Sequence, residues 1–299
     1  QSYFVEKLVK KNARQMLYEL RNNKKKISQF KMLSQFQLNF SDQKKLFNYC
    51  NKKKIEFIST PYDEESALFL KKLGVKKIKI ASTDITNLPY LNYVQNLNLD
   101  LIISTGATDY AELKVIFKKL FKSKSKKKIT LLQCTSNYPC PLDNLNLKSI
   151  KFLNEKFNLR TGFSDHSLSL TSGAISVAYG ATIIEKHFTL NRELVGPDHK
   201  SSLTPKELFI YIKNIKDAEK MSGFYSKKIQ KSERKIKKEI QKSIFLNRDV
   251  KKGYLIKKID LIIMRPSSSI QPLYFDFIIG KKTLKSLKKF TPLSLKNFK

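Results

Sequence analysis

The sequence predicts an α/β fold, a (β/α)8 barrel of the TIM type, followed by a small β-rich domain. From about residue 55 onward, short β-branched runs alternate with longer amphipathic stretches, which is the pattern of parallel β/α units. The runs are continuously apolar, as expected of strands buried on both faces. Polar and small residues gather where each run ends, and barrel enzymes take their catalytic groups from these ends. A doubly wound sheet would instead concentrate them at one switch point.

Six runs are predicted to form barrel strands. In chain order they are Ile55–Thr60, Lys77–Ser82, Asp100–Thr105, Ile129–Thr135, Arg160–Asp165 and Ala181–His187. The region before them is predicted to be helix and loop, with helices over residues 10–20 and 41–54. A closed barrel needs eight strands. We therefore expect the barrel to lack its first two strands in this chain and to be incomplete at its N-terminus.

The segment after the last predicted strand contains two helical patterns, residues 204–221 and 231–241. The second pattern is highly charged, as is typical of a linker or an exposed helix. From Ser243 the sequence changes to short β-like runs with a glycine turn and a proline break. We predict a barrel domain over residues 1–225, a charged linker over 226–242 and a small β-rich domain over 243–299.

The composition indicates a folded protein, with 41% hydrophobic residues. No apolar run approaches the ~20 residues of a bilayer-spanning helix, and no signal peptide is visible. The cysteines, Cys50, Cys134 and Cys140, lack the paired spacings of a disulfide framework or a structural zinc site. We therefore expect reduced thiols in a cytoplasmic protein that has no membrane partner.

The formal net charge of +34 raises the alternative of a nucleic-acid-binding protein. Nearly all of this charge is lysine, spread over the whole chain, whereas base readout and bidentate phosphate binding favour arginine. The lysine-rich segment 122–128 is more typical of a solvated loop than of a binding tail. We expect nonspecific binding to polyanions and no specific nucleic-acid partner.

Two of the three histidines follow predicted strands that are neighbours in the barrel. His166 follows one strand and His187 ends the next, so their side chains are predicted to reach the same small volume. Glu185 lies two residues before His187 and points the same way, whereas Lys186 points to the other face. Either histidine alone would be read as a hydrogen-bonded core residue. Together they predict a divalent metal site with open positions for water or substrate.

Hydroxyl groups and one lysine are predicted to surround an anion at the same face. Strand-end hydroxyls, backbone amides and a lysine charge are typical of phosphate sites. The candidates are Lys79, Ser82, Ser104, Ser136 and Ser164. Individually, each serine is almost as typical of a helix cap. Asp198, in the loop after the last strand, is a candidate for contact with a polar substrate or a simple turn residue.

Several motifs resemble one family closely. They are "KIASTDITNLP" from Lys79, "CTSNYPCPLDNLNL" from Cys134, "GFSDHSL" from Gly162 and "GATIIEKHFTLNRELVGPDHKSSLTP" from Gly180. These motifs look like those of the sialic acid synthases, the N-acetylneuraminate synthase family, which includes legionaminate and pseudaminate synthases. The tail, "LNRDVKKGYLIKKIDLIIMRP" with "FDFIIGKK", resembles the antifreeze-like (SAF) domain that ends these enzymes.

The resemblance implies a reaction of phosphoenolpyruvate with an N-acyl amino sugar, which releases phosphate and forms a nine-carbon 2-keto acid. N-acetylmannosamine is the first expectation for the sugar, and a diacetamido-trideoxyhexose is the alternative. The resemblance also implies a divalent metal held by His166 and His187, usually Mn2+, with Mg2+ or Co2+ also suitable.

The resemblance further assigns roles to individual positions. Phosphoenolpyruvate contacts match Thr60, Lys79, Ser82, Ser104, Ser136 and Ser164. Tyr138 and Asp198 match positions that contact the sugar, and Asp84 is a candidate for proton transfer. Arg265 matches an arginine that reaches the sugar in a neighbouring chain's barrel, which implies a domain-exchanged homodimer.

The chain departs from the family pattern in three places. The residues of the family's first strand and the lysine and glutamine that end its second strand are not identified here. "RPSSSI", from Arg265, lacks the glycines that usually follow the Arg-Pro pair, and Ser136 stands where some members have asparagine. The first departure leaves an inactive, truncated fragment as a further alternative.

Overall fold

Five parallel strands form one sheet within the residues that the computed structural model describes, which are 1–16, 19–20, 27–120 and 128–299. The strands are β1 (Lys77–Ile80), β2 (Asp100–Ser104), β3 (Ile129–Cys134), β4 (Arg160–Asp165) and β5 (Ala181–Lys186). Neighbours in the sheet are also neighbours in the chain, without a change of direction. This order is that of a barrel and not of a doubly wound sheet, which reverses its order at a switch point.

The sheet curls strongly, as a contact between side chains of its first and last strands shows. Four spacings of ~4.8 Å would separate β1 and β5 by about 19 Å in a flat sheet. In the structure, Nζ of Lys79 on β1 lies 3.4 Å from Oε2 of Glu185 on β5. The predicted fold class, an α/β barrel represented here by part of its strands, is confirmed.

Helices connect the strands and cover the sheet. They are α1 (Val5–Leu8), α2 (Gln29–Phe36), α3 (Phe40–Lys52), α4 (Glu64–Leu73), α5 (Leu88–Asn96), α6 (Tyr110–Leu120), α7 (Lys148–Phe157), α8 (Ser172–Ala178) and α9 (Pro205–Ser222). Helix α4 shows how the sequence sets these bounds. The Asp63 side chain accepts the N–H of Ser66 at the start, and Gly74 ends the helix at φ 96°. Between them, Ala67 and Leu70 are fully buried in the core against the sheet.

The predicted strand Ile55–Thr60 is wrong. The segment forms no strand in the described part of the chain. It still lies beside β1, since the backbone N–H of Lys79 donates to the carbonyl of Ser59. Its next residues pair with the start of the chain, where Ser2 and Pro61 form a parallel bridge. The segment therefore occupies the position beside β1 without the repeated ladder that defines a strand.

The chain divides into two compact units, Gln1–Gly223 and Phe224–Lys299. The second unit contains α10 (Glu233–Ile240), β6 (Ser243–Leu246), β7 (Leu261–Met264) and α11 (Phe275–Ile278). Strands β6 and β7 pair antiparallel. Their apolar residues form a separate core with others of the same unit, including Ile244, Leu246 and Ile278. The antiparallel pair agrees with the β-like runs seen in the sequence, and the three predicted domain boundaries stay a prediction.

Two predicted segments fall partly outside the described residues. In the helix predicted over residues 10–20, positions 11–16 are turn and coil, and positions 17 and 18 are not described. The lysine-rich segment 122–128 lies outside them except for Lys128. The cysteines Cys50, Cys134 and Cys140 are free, as expected. None of the helices in the described ranges combines the length and the hydropathy that a membrane crossing requires.

Candidate active site

The carboxyl ends of the barrel strands surround a cavity of about 620 Å³, which we call the active-site cavity. Parallel strands bring these ends to one face, so residues distant in sequence meet there. The predicted residues that line it are Lys79, Ser82, Ser104, Ser136, Tyr138, Ser164, His166, His187 and Asp198. A neighbouring cavity of about 550 Å³ shares Cys134 and Ser136, but none of the described residues that line it is a histidine, lysine or arginine. The presence of His166, His187 and Lys79 therefore identifies the active-site cavity as the candidate site.

His166, at the end of β4, has a fixed tautomer. Its Nδ1 lies 2.8 Å from the backbone carbonyl of Thr135, and because a carbonyl can only accept, Nδ1 carries the proton. Nε2 is then left with its lone pair, 3.3 Å from Oγ of Ser164. The residue is 5% exposed, and burial lowers its pKa to about 4. His166 is therefore neutral at pH 7 and presents a nitrogen that can bind a metal.

His187, Tyr138 and Asp198 complete this side of the cavity. The rings of His166 and His187 are 5.4 Å apart and nearly perpendicular, at 86°. The ring of Tyr138 lies 4.1 Å from His166 and 5.5 Å from His187. Asp198 places Oδ2 4.0 Å from Nδ1 of His187. The two imidazoles therefore converge on one volume, with an aromatic ring and a carboxylate beside them.

The donor atoms present fit a metal site with two protein ligands. Within the described ranges, no group of three or more His, Cys, Asp or Glu side chains is arranged to hold an ion. Two imidazoles with a nearby carboxylate suit several first-row divalent ions. A metal held by His166 and His187 would take its remaining ligands from water or substrate.

The opposite side of the cavity carries one cation and several hydroxyls. Lys79 is 8% exposed, and its Nζ donates to the carbonyl of Ile80 at 2.9 Å. Its contact with Glu185 is an ion pair without hydrogen-bond geometry. Oγ of Ser104 is buried and has no hydrogen-bond partner among the described residues. Since buried hydroxyls are normally paired, this group indicates a place for a polar ligand.

Gly106 keeps these hydroxyls close together. A Cβ at this position would collide with the hydroxyls of Ser82 and Ser136. Without a side chain there, the backbone N–H of Gly106 donates to Oγ of Ser82 at 3.0 Å. The backbone and the two serines thus form a concave polar surface, as is typical of anion sites.

A buried ion pair lies directly behind the histidines. Asp165 and Lys186 precede His166 and His187, and they point to the other face of the sheet with Oδ2 and Nζ 2.9 Å apart. Ser172 and Tyr211 also donate to the same carboxylate oxygen, at 2.5 and 2.7 Å. Burial alone would raise the pKa of Asp165, but Lys186 and these hydroxyls bring it below its usual value. The pair fixes β4 against β5, and so the spacing of the two histidines.

Three predicted site residues do not line the cavity. Thr60 is half-buried, and its carbonyl accepts the N–H of Ser2 at 2.8 Å. Asp84 adjoins the lining residue Thr83, and burial raises the pKa of its carboxyl. Arg265 belongs to the second unit, where it is exposed just after β7.

The cavity also contains residues that the sequence analysis missed. Gln1, Met16, Tyr62 and Asn137 line it. Tyr62 and Asn137 stand close to predicted site residues, and their position after a predicted strand is a signal that points to the site. Gln1 and Met16 carry no such signal, because the first segment of the chain is held at the site by tertiary contacts, among them its pairing with residues 60–62.

The fold and the cavity together define a barrel enzyme with a polar site at its strand ends. The chain belongs to the NeuB family, whose model matches residues 1–227. It is 38% identical over 296 residues to the N,N'-diacetyllegionaminic acid synthase of Legionella pneumophila, covering 98% of this chain and 83% of that protein. The synthase of the same name from Campylobacter jejuni is 37% identical over 289 residues, covering 96% and 86%.

A solved structure of the family agrees with this membership. The N-acetylneuraminic acid synthetase of Leptospira borgpetersenii, in complex with citrate, is 33% identical with a TM-score of 0.64. The match covers 69% of this chain and 72% of that one. The family that the sequence motifs indicated is therefore confirmed, while the antifreeze-like character of the tail stays a prediction.

Proposed function

We propose that the protein condenses phosphoenolpyruvate with a diacetamido-trideoxyhexose, releases phosphate and forms a nine-carbon 2-keto acid of the legionaminate type. Similarity to two N,N'-diacetyllegionaminic acid synthases supports this sugar better than N-acetylmannosamine, the first expectation from the sequence. The observation that carries the proposal is one cavity in which His166 and His187 face Lys79 and strand-end hydroxyls. Such a site can hold an anion and an aldehyde side by side.

Phosphoenolpyruvate occupies the side of Lys79. Its phosphate and carboxylate are anionic, and the buried ammonium group and the hydroxyls of Ser82, Ser104 and Ser136 suit them. The unpaired hydroxyl of Ser104 gains a partner when the substrate binds. Ser164 lies between this side and His166, with its Oγ near Nε2 of that histidine.

The sugar aldehyde occupies the side of the histidines. His166 and His187 would hold a divalent ion, Mn2+ first and Mg2+ or Co2+ as alternatives, and such an ion would supply Lewis-acid polarisation of the aldehyde oxygen. The lone pair of His166 on Nε2 is available for this role because Thr135 fixes the proton on Nδ1. Tyr138 and Asp198 orient the sugar beside the two imidazoles.

The reaction joins carbon 3 of phosphoenolpyruvate to the aldehyde carbon. The aldehyde oxygen takes up a proton and becomes a hydroxyl, one water adds at carbon 2, and phosphate leaves as the ketone forms. Asp84 is the candidate for proton transfer, because its motif matches that position in the family and burial raises the pKa of its carboxyl above the usual value.

The test is sugar-dependent release of phosphate from phosphoenolpyruvate by the full-length protein with Mn2+. We expect release with the diacetamido sugar and a loss of more than about 100-fold in His166→Ala and His187→Ala. Bound Mn2+, measured by electron paramagnetic resonance, should disappear in both variants. The matched control is His199→Ala, which removes the remaining histidine and should keep the affinity for Mn2+.

Two outcomes would decide against the proposal. Release with N-acetylmannosamine alone would return the function to an N-acetylneuraminate synthase. No release with either sugar, from folded protein that binds Mn2+, would reject the condensation.

A further inference from the structure

A second cavity, of about 550 Å³, adjoins the active-site cavity. The two share Gln1, Met16, Tyr62, Thr83, His187 and Asp198 in their walls. We call the part of the second cavity beyond these shared residues the side pocket. A sugar whose aldehyde lies beside His187 can therefore extend its far end into the side pocket without crossing a wall.

The wall of the side pocket is largely apolar. It includes Tyr3, Met32, Leu33, Phe36 and Phe188. Met32 and Tyr3 are 1% and 5% exposed, so their side chains form a fixed part of the wall. An apolar wall favours methyl groups and disfavours hydroxyls that find no partner.

Four polar side chains interrupt this apolar wall. The ring of His199 contacts the hydroxyl of Thr189, and the hydroxyl of Ser202 donates to the carbonyl of Asp198. The other two are Glu19 and Gln29.

Glu19 is 3% exposed and Gln29 is 9% exposed, and both line the pocket. Oε2 of Glu19 accepts the backbone N–H of Met16 at 2.7 Å. Nε2 of Gln29 is 3.5 Å from Oε1 of Glu19, which is a long contact. Burial raises the pKa of Glu19, so the protein bears a cost for keeping a carboxyl there.

This combination matches an acylamino group. Such a group has an N–H that donates, a carbonyl that accepts and an apolar methyl. The carboxyl of Glu19 can accept from the N–H, the amide of Gln29 can donate to the carbonyl, and Met32 and Leu33 can surround the methyl.

We propose that the side pocket binds the acylamino group of the sugar that is remote from the aldehyde, and that Glu19 and Gln29 select a diacetamido sugar over a monoacetamido one. This inference rests on the proposed function. N-acetylmannosamine has hydroxyls where the diacetamido-trideoxyhexose has its second acetamido group and its terminal methyl. Those hydroxyls would enter an apolar pocket and lose their hydrogen bonds with water.

A purely structural role for Glu19 makes a different prediction. The backbone N–H of Gln29 donates to the carbonyl of Ala13, and Glu19 accepts the backbone N–H of Met16 between them in the chain. If Glu19 only held the backbone at Met16 in place, its loss would affect both sugars and phosphoenolpyruvate alike. If Glu19 binds the remote acylamino group, its loss affects the diacetamido sugar selectively.

The experiment measures kcat and KM for both sugars and KM for phosphoenolpyruvate in the full-length protein. Glu19→Gln replaces the carboxylate with an isosteric amide, and Leu33→Trp fills the pocket. We expect kcat/KM for the diacetamido sugar to fall about 10-fold or more in each variant. The change should appear mainly in KM for that sugar, with KM for phosphoenolpyruvate unchanged. Glu219→Gln, at an exposed position on α9, is the matched control.

Each result has a separate meaning. A ratio of kcat/KM between the two sugars that shifts toward N-acetylmannosamine in both variants supports the side pocket. Equal losses for both sugars, or a raised KM for phosphoenolpyruvate in folded variants, overturn it and leave the condensation intact. Absence of turnover with either sugar in the unmodified protein rejects the proposed function itself.

Discussion

His166 illustrates how a single backbone contact prepares a catalytic residue. The carbonyl of Thr135, in the loop after β3, holds the proton on Nδ1 and turns Nε2 toward the cavity. Burial between Ser164 and Tyr138 keeps the ring neutral, with its pKa at about 4 instead of the usual 6.5. The same burial that makes the residue a metal ligand therefore makes it sensitive to acid.

The stability of the metal-free protein should depend on pH through this residue. The folded-state pKa of His166 lies below its unfolded value, so protonation favours unfolding. The contribution of neutral His166 to the free energy of unfolding is fully present above pH 6.5. As the pH falls to about 4, this contribution is lost, and the loss amounts to up to about 3 kcal/mol. Denaturant unfolding with a chelator, at a series of pH values, measures this loss. The variant His166→Gln should remove that part of the pH dependence, and an unchanged profile would show that His166 is solvated.

At the scale of elements, β4 and β5 are fixed to the helices behind them by one carboxylate. Asp165 on β4 accepts from Lys186 on β5, Ser172 on α8 and Tyr211 on α9. Lys186 also donates to the carbonyl of Ser167. Each partner comes from a different element, so this group sets the register of two strands whose next residues are the histidines.

Tyr211→Phe should therefore destabilise the protein although no large volume is lost. Tyr211 is 1% exposed, and its hydroxyl donates to a charged group, so we expect a loss of about 1.5–3 kcal/mol in the free energy of unfolding. Urea denaturation measures it. The control Tyr225→Phe makes the same chemical change at a fully exposed position and should stay within ~0.5 kcal/mol. Equal effects of the two substitutions would mean that the hydroxyl of Tyr211 contributes nothing to stability.

The elements also show what the sequence could predict. Strands β1, β2, β3 and β5 carry short runs with two or more β-branched residues. Strand β4 has only one, Thr161, and still has the predicted bounds, Arg160–Asp165. Since side chains at strand ends must meet in a barrel, most of the cavity lining followed from the pattern. The segment Ile55–Thr60 has a similar composition but forms no ladder of backbone hydrogen bonds. Strand formation depends on the segment that lies beside it in the fold as well as on the β-propensity of its own residues.

The residues of the side pocket could not be predicted in this way. Glu19, Gln29 and Met32 belong to the segment before the barrel strands, where no strand end gives them a position. Their approach to the cavity depends on the pairing of Ser2 with Pro61 and on the packing of α2, which includes Met32. Tertiary contacts between distant parts of the chain leave no local sequence signal.

At the scale of the whole molecule, the net charge of +34 should make the protein bind nucleic acids without preference for their sequence. Fluorescence anisotropy with duplexes of several sequences should give equal affinities that fall steeply between 50 and 200 mM salt, by roughly a thousandfold or more if six or more phosphates are contacted. A preference for one duplex sequence, retained at high salt, would instead indicate a nucleic-acid-binding function.

The resemblance of the motif around Arg265 implies a domain-exchanged homodimer. In such a dimer, Arg265 would serve the active site of the neighbouring chain. Mixing two inactive proteins, Arg265→Ala and His187→Ala, tests this arrangement. If Arg265 serves the site of the neighbouring chain, each hybrid dimer has one site with an intact histidine and an intact arginine, and phosphate release returns. If Arg265 serves its own chain, every site in the hybrid carries one defect and no activity returns. Each protein alone, at the same total concentration, is the control, and size-exclusion chromatography verifies that hybrids form.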